Sequence, residues 1–96
     1  MSVVGTVKQQ PNDVQDYDID FSDWFPTDDV ITAATVTADP AMPTPPLRSV
    51  SPDGKTVKVW VFAGGTSGVT YKITVLATTN DNRAKEAELK VKIKEV

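Results

Sequence analysis

The residues with the most chemical potential lie between Asp13 and Asp29, in DVQDYDIDFSDWFPTDD, where seven aspartates fall within seventeen positions. Carboxylates at this density could hold a divalent cation, work as an acid–base pair, or present a charged surface. Asp16, Asp18 and Asp20 have the D-x-D-x-D spacing that opens a calcium loop. The rest of that loop is missing: Phe21 stands where the sharp turn needs glycine, and Thr27 where a bidentate glutamate belongs. On an extended strand, side chains two residues apart share a face at about 6.6 Å, too far to close round one ion without help from a loop. Asp23, Asp28 and Asp29 are near enough to give that help around Phe25, Pro26 and Thr27. Calcium at Asp16, Asp18 and Asp20 is therefore the lesser reading, and a solvated acidic face the main one.

Catalysis finds little support. Paired carboxylates suit glycoside hydrolysis only when they flank a sugar-sized cleft and burial raises one pKa. A chain of 96 residues has little room for such a cleft. Histidine and cysteine are both absent, which removes the commonest general base, the thiolate nucleophile and the commonest transition-metal ligands. Ala63-Gly64-Gly65-Thr66 lacks the lysine and spacing of a phosphate-binding loop. No catalytic residue, cofactor or metal is expected, and the protein reads as a non-enzyme. A net charge of −3 gives no basic footprint for nucleic acid. No apolar run approaches the roughly 20 residues of a membrane span, and MSVVGTVKQQ carries no secretory pattern. The expected site of synthesis is a cytoplasm.

These carboxylates must be positioned by strands. Tyr17, Ile19 and Phe21 alternate with Asp16, Asp18 and Asp20, so a one-residue slip would put three carboxylates in the core. VITAATVT at 30–37 is β-branched but ambiguous in phase: Ile31 and Val36 share a face only if the strand bulges near Ala33 and Ala34. DPAMPTPP at 39–46 holds four of the seven prolines and predicts a crossing outside any ladder. A short strand at 47–50 leads to the turn Pro52-Asp53-Gly54-Lys55. TVKVWVF at 56–62, VTYKITVLATT at 69–79 and the alternation from Glu86 to Val96 complete the set. EAELK has helical propensity, but the strict alternation through VKIKEV overrides it. The pattern predicts an all-β chain: an immunoglobulin-like β-sandwich of six to seven antiparallel strands over residues 13–96. Residues 1–12 read as a flexible N-terminal arm whose Val3, Val4 and Val7 could add an edge strand.

Two further features bear on partners. One of the two tryptophans is expected to fill the space between the sheets. If Val57, Val59 and Val61 point inward, Trp60 and Phe62 stand exposed beside Lys58, as in a protein contact or, less often, a carbohydrate platform. Charge is also divided along the chain, with a balance of −7 over residues 1–46 and +4 over residues 47–96. The aspartates and the Lys90, Lys92, Lys94 row would be either neighbours within one sheet, the favoured reading, or complementary patches on adjacent subunits.

Four segments carry a family resemblance: D-x-D-F-S-D-W at Asp18–Trp24, D-x-I-T-x-A-T-V at Asp29–Val36, W-V-F-x-G-G-T-x-G-x-T-Y-x-I-T at Trp60–Thr74, and T-T-N-D-x-R at Thr78–Arg83. Over about residues 14–96 the chain resembles small immunoglobulin-like proteins of tailed phages and prophages, described as fibre–tail adaptors or minor virion proteins. It departs from them in the proline-rich segment Asp39–Pro46. The resemblance implies a virion structural protein, either a fibre–tail adaptor or a capsid decoration or cement protein. It would be made in the bacterial host cytoplasm and would bind other virion proteins, with self-association on assembly open. Asp16, Asp18, Asp20, Lys58, Trp60 and Phe62 are the candidate contact residues. A surface module binding carbohydrate or calcium is the alternative.

Overall fold

The computed structural model describes residues 2–26 and 28–94, with side chains from Gly5 onward. The expected turn at Thr27 and the end of the last strand at Glu95 and Val96 lie outside these residues. Among them there is no helix. The chain forms seven strands: β1 (Ser2–Gln9), β2 (Gln15–Asp20), β3 (Ile31–Asp39), β4 (Leu47–Val50), β5 (Thr56–Val61), β6 (Thr70–Thr79) and β7 (Ala84–Ile93). They build two sheets, one ordered β1-β7-β6-β3 and the other β2-β5-β4.

Alternation sets the inside of both sheets. Ile19 on β2 and Val57, Val59 and Val61 on β5 point inward from the smaller sheet. Tyr71, Ile73, Val75 and Ala77 on β6 meet them from the larger one, with Ala87, Leu89, Val91 and Ile93 on β7. All belong to a single buried cluster. On β3 the register shifts between Ile31 and Ala33, and this lets Ile31, Ala34 and Val36 all turn toward the core. The proline-rich stretch after β3 carries the chain from one sheet to the other. It leaves the ladder, as residues without N–H donors must, and seats Met42 and Pro46 against the interior. Arg48 then ties the sheets together, its Nε donating to the Ala34 carbonyl at 2.7 Å.

Three features differ from the sequence expectation. The segment read as an arm able to add an edge strand is β1, and it runs parallel to β7. The other four strand pairs are antiparallel. No hairpin joins β1 to β7, so nothing in the connectivity forces them to oppose. The arm is also held by a side chain: buried Gln9 donates through Nε2 to the carbonyls of Asp13 (2.8 Å) and Val61 (3.3 Å), while Tyr17 Oη donates to its Oε1 at 3.0 Å. Neither tryptophan fills the interior, since Trp24 is 36% and Trp60 38% exposed. Fully buried Phe21 takes that place, with Trp24 packed edge-on at 5.1 Å and Lys85 Nζ 5.0 Å from the Trp24 ring. Finally, the aspartates of β2 and the lysines of β7 lie in different sheets, so they are not neighbours within one sheet.

At the start of β6, the Tyr71 hydroxyl accepts the Thr66 N–H at 2.9 Å, turning back onto the backbone just upstream. No helix among the described residues is long and apolar enough to cross a membrane.

Candidate interaction surfaces

The acidic stretch divides into two structural roles. On β2, Asp16, Asp18 and Asp20 are exposed on the outer face, opposite Trp60, Lys58 and Thr56 of β5. Lys58 reaches diagonally to Asp16, Nζ to Oδ2 3.2 Å, with both side chains about two-fifths exposed, so solvent screens most of that attraction. Asp20 accepts the Ser22 N–H at 2.8 Å; that bond, with a lesser one from the Ser22 side chain, holds its carboxyl below the usual range. Asp16 and Asp13 add their charge to the burial that already raises the Tyr17 phenol, burial being the larger cause.

Asp29 does something quite different. Its side chain is fully buried at the end of the sheets. Burial alone would raise its pKa. Hydrogen bonds from the Thr79 hydroxyl, the Arg83 guanidinium and the Asp81 N–H, with the Arg83 charge, outweigh that and bring the carboxyl below the ordinary value. Arg83 Nη1 lies 2.9 Å from Asp29 Oδ2 and 3.4 Å from Asp81 Oδ2. The Asp29 carbonyl meanwhile accepts Lys55 Nζ at 2.6 Å. This clasp locks the β6–β7 turn to the start of β3. Sequence reading had offered Asp29 as a loop ligand; the pairing with Arg83, 54 residues on, is a tertiary fact.

No group of three or more carboxylates gathers in a way that could hold an ion among the described residues. The open groove beside Lys58 contains one carboxylate, Asp18, with Ser49, Ser51 and Thr56 around it. That lining offers polar contact, with no second carboxylate beside Asp18.

The valines of β5 are the inward set, so Trp60 stands on the outer face and Phe62 is half-buried. The register adds a neighbour that sequence could not: Leu47 of β4 sits opposite Trp60 and is 54% exposed. Val14, just before β2, is 50% exposed. The outer face of β2-β5-β4 therefore combines an aromatic–aliphatic pair with a row of three carboxylates, a composition suited to a protein contact.

The opposite outer face gathers lysines at one end, with Asp39 of β3 across from Lys72. Lys72 of β6 lies across from Lys90 of β7, and Lys92 of β7 across from Lys8 of β1. Among the described residues none of these four lysines has an ion-pair partner. Further along the same strand stand Glu86 and Glu88, so the positive charge is confined to one end. The bond from Gln9 to Val61 fixes that end beside the Trp60 end of β5. The sequence-level row of Lys90, Lys92 and Lys94 pointed to this patch. Lys8 and Lys72 join it only through strand pairing.

The domain is thus two β-sheets over one core, with outer faces that differ in composition. The chain belongs to the family described as Gp77, podophage GP4 fiber-tail adaptor protein gp77, which matches residues 9–92. This agrees with the resemblance drawn from the four sequence segments. No curated protein matches the chain.

Proposed function

We propose that this protein is a non-enzymatic structural component of a phage virion, an adaptor that binds tail or fibre subunits through its exposed sheet faces. Membership of the fibre–tail adaptor family across residues 9–92 carries the reading. The outer face holding Asp16, Asp18, Asp20, Lys58, Trp60 and Leu47 is the candidate docking surface, with Phe62 at its margin. Its apolar centre and charged border are what a specific protein contact requires.

The fold is read as an immunoglobulin-like sandwich. Three features support this. In such folds the second, fifth and fourth strands form one sheet and the third, sixth and seventh the other, and the order here follows that division with β1 on the larger sheet. Tyr71, at the start of the sixth strand, bonds back to the Thr66 N–H in the manner of a tyrosine corner. The inward faces of the two sheets share one core. The core tryptophan and inter-sheet disulfide of antibody domains have no counterpart, and Phe21 and the β5 valines fill the corresponding interior.

Antibody labelling of purified, protein-complete phage particles, viewed by electron microscopy, tests the function. Label at the tail or at one vertex is expected. Label over the whole head would replace the adaptor with a capsid decoration protein. Absence of label would overturn the virion reading and turn attention to calcium binding at Asp16, Asp18 and Asp20 and to carbohydrate binding at Trp60.

A further inference from the structure

We propose that the two outer faces are complementary to each other, and that a second copy of this chain seats its lysine face on the acidic, aromatic face of the first. The inference rests on reading the β2-β5-β4 outer face as a docking surface, and it names the occupant. It does not depend on where in a virion the protein stands.

The lysine arrangement is the first argument. Lysines directly across from each other in a sheet repel, and a fold selected for stability alone would alternate their sign. Here Lys72 faces Lys90 and Lys8 faces Lys92; Asp39 of β3 lies across from Lys72 on its other side, but none of the four lysines forms an ion pair among the described residues. A surface kept in that state is suited to an anionic partner. The chain supplies one on its own reverse side: Asp16 and Asp18 are exposed on β2, and Lys58 offsets only part of their charge.

Position is the second argument. The lysine end of the larger sheet and the Trp60 end of the smaller one lie at the same end of the molecule, on opposite faces. A second copy displaced along the sheet normal brings its lysines over Asp16, Asp18 and Trp60 without rotating end for end. Ammonium groups are then matched with carboxylates, and with an indole face that favours a cation. The contact is heterologous, one face against a different face. It continues from copy to copy, forming a ring if the rotation between copies closes and an open stack if it does not.

Size determines how to test it. Strands about 4.8 Å apart, with β2 and β5 six residues long and β4 four, present about 250 Å² of sheet face. A stable complex buries about 800 Å² per partner, so the free protein should associate weakly and the contact should gain strength only when several copies are held together. Amide chemical shifts of the full-length, ¹⁵N-labelled protein, followed up to about 1 mM in low salt, are sensitive enough for such affinities. Expected are concentration-dependent shifts on β2 and β5 and on β6 and β7 together. The apparent Kd should rise roughly tenfold between about 20 mM and about 200 mM salt, because the attraction is between screened surface charges.

Two variants then separate this arrangement from any other. K90E/K92E keeps the acidic face and D16K/D18K keeps the lysine face, and all four positions are on outer faces. Each variant alone should lose the concentration dependence while retaining the dispersed spectrum of the folded protein. Mixed, labelled K90E/K92E with unlabelled D16K/D18K should recover shifts on both outer faces, because each face, native or reversed, again meets its opposite in the other variant. Shifts absent throughout the concentration range in the wild type, or unchanged in K90E/K92E, would overturn the proposal. Neither result would affect the virion assignment, which is read by particle labelling.

Discussion

Gly54 lies in the turn between β4 and β5, with φ +69°. Its N–H donates to the Ser51 carbonyl and its own carbonyl accepts the Ile31 N–H, each at 2.9 Å, so one residue joins the turn to the start of β3. A Cβ built here would lie 2.7 Å from Val30 Cβ and 3.1 Å from Ile31 N. Gly54→Ala therefore faces two separate costs. Holding an L-residue in the left-handed region takes about 1–2 kcal/mol. Forcing the neighbouring backbone aside adds about 1–3 kcal/mol, as overpacking does elsewhere. The total is about 2–5 kcal/mol, a large share of the about 5–15 kcal/mol that holds a domain folded. Gly68 provides the control, since its φ is +88° but its Cβ would meet open space. Gly68→Ala should lose only the conformational part, about 1–2 kcal/mol. Both substitutions reduce unfolded-chain entropy equally, so that effect cancels in the comparison. Urea unfolding of the two variants beside the wild type reads the difference directly. A Gly54→Ala loss no larger than that of Gly68→Ala would refute the argument from close approach.

The remaining predictions concern the polar clasps and the outer faces. Tyr17→Phe removes the bond to Gln9 Oε1 and leaves a buried side chain short of a donor, so urea unfolding should report a loss of about 1–2 kcal/mol. Asp29 has a depressed pKa in the folded chain, so its contribution is present above the ordinary carboxylate pKa and lost as pH falls through the depressed folded value. Thermal melts against pH should accordingly show Asp29→Asn well below wild type at neutral pH, with the gap closing in acid. Asp20 and Asp53, lowered for similar hydrogen-bonding reasons, supply further acid sensitivity of the same sign in both proteins. Leu47→Ser and Trp60→Ser, on an outer face, should leave the melting temperature of the isolated chain nearly unchanged while weakening partner binding. A large loss of stability in either would reassign these residues to the core.

Strand identity was legible wherever the period was two and both faces were distinct. Asp16, Asp18 and Asp20 could not turn inward, so the facing of β2 followed from chemistry; on β5, Trp60 and Phe62 competed with Val57, Val59 and Val61 for the interior, and alternation alone left the inward side open. The irregularity in β3 was legible too, because Ile31 and Val36 are an odd number of residues apart and both needed burial. Pairing was not legible. Period two says which face a residue takes and nothing about which strand lies beside it. The parallel joining of β1 to β7, the meeting of Leu47 with Trp60 and the facing of Lys72 with Lys90 therefore had no sequence signal. The two clasps were hidden for the same reason. Gln9 and Asp29 are polar residues in polar segments, and the partners that make their burial tolerable include the distant Val61 and Arg83.

The tryptophans mark the limit of reasoning by residue type. Large aromatic side chains favour interiors, and with two tryptophans in the chain one is expected there. Space decided otherwise. Phe21 is the fully buried ring of the core, and the β5 valines share that core with Ile73 and Val75. Trp24 is displaced to the rim, where Phe21 and Lys85 hold it. Trp60 is displaced to the outer face by alternation alone, because Val59 and Val61 on either side of it are inside. Its exposure is thus a consequence of where the valines must be, and the neighbouring Leu47 and the carboxylates of β2 turn that consequence into a surface. The same alternation works on the other sheet, where burying Leu89, Val91 and Ile93 compels Lys90 and Lys92 outward. A single constraint, the filling of one core from two sheets, thereby sets which charged side chains of this chain stand outside and leaves it two unlike outer faces.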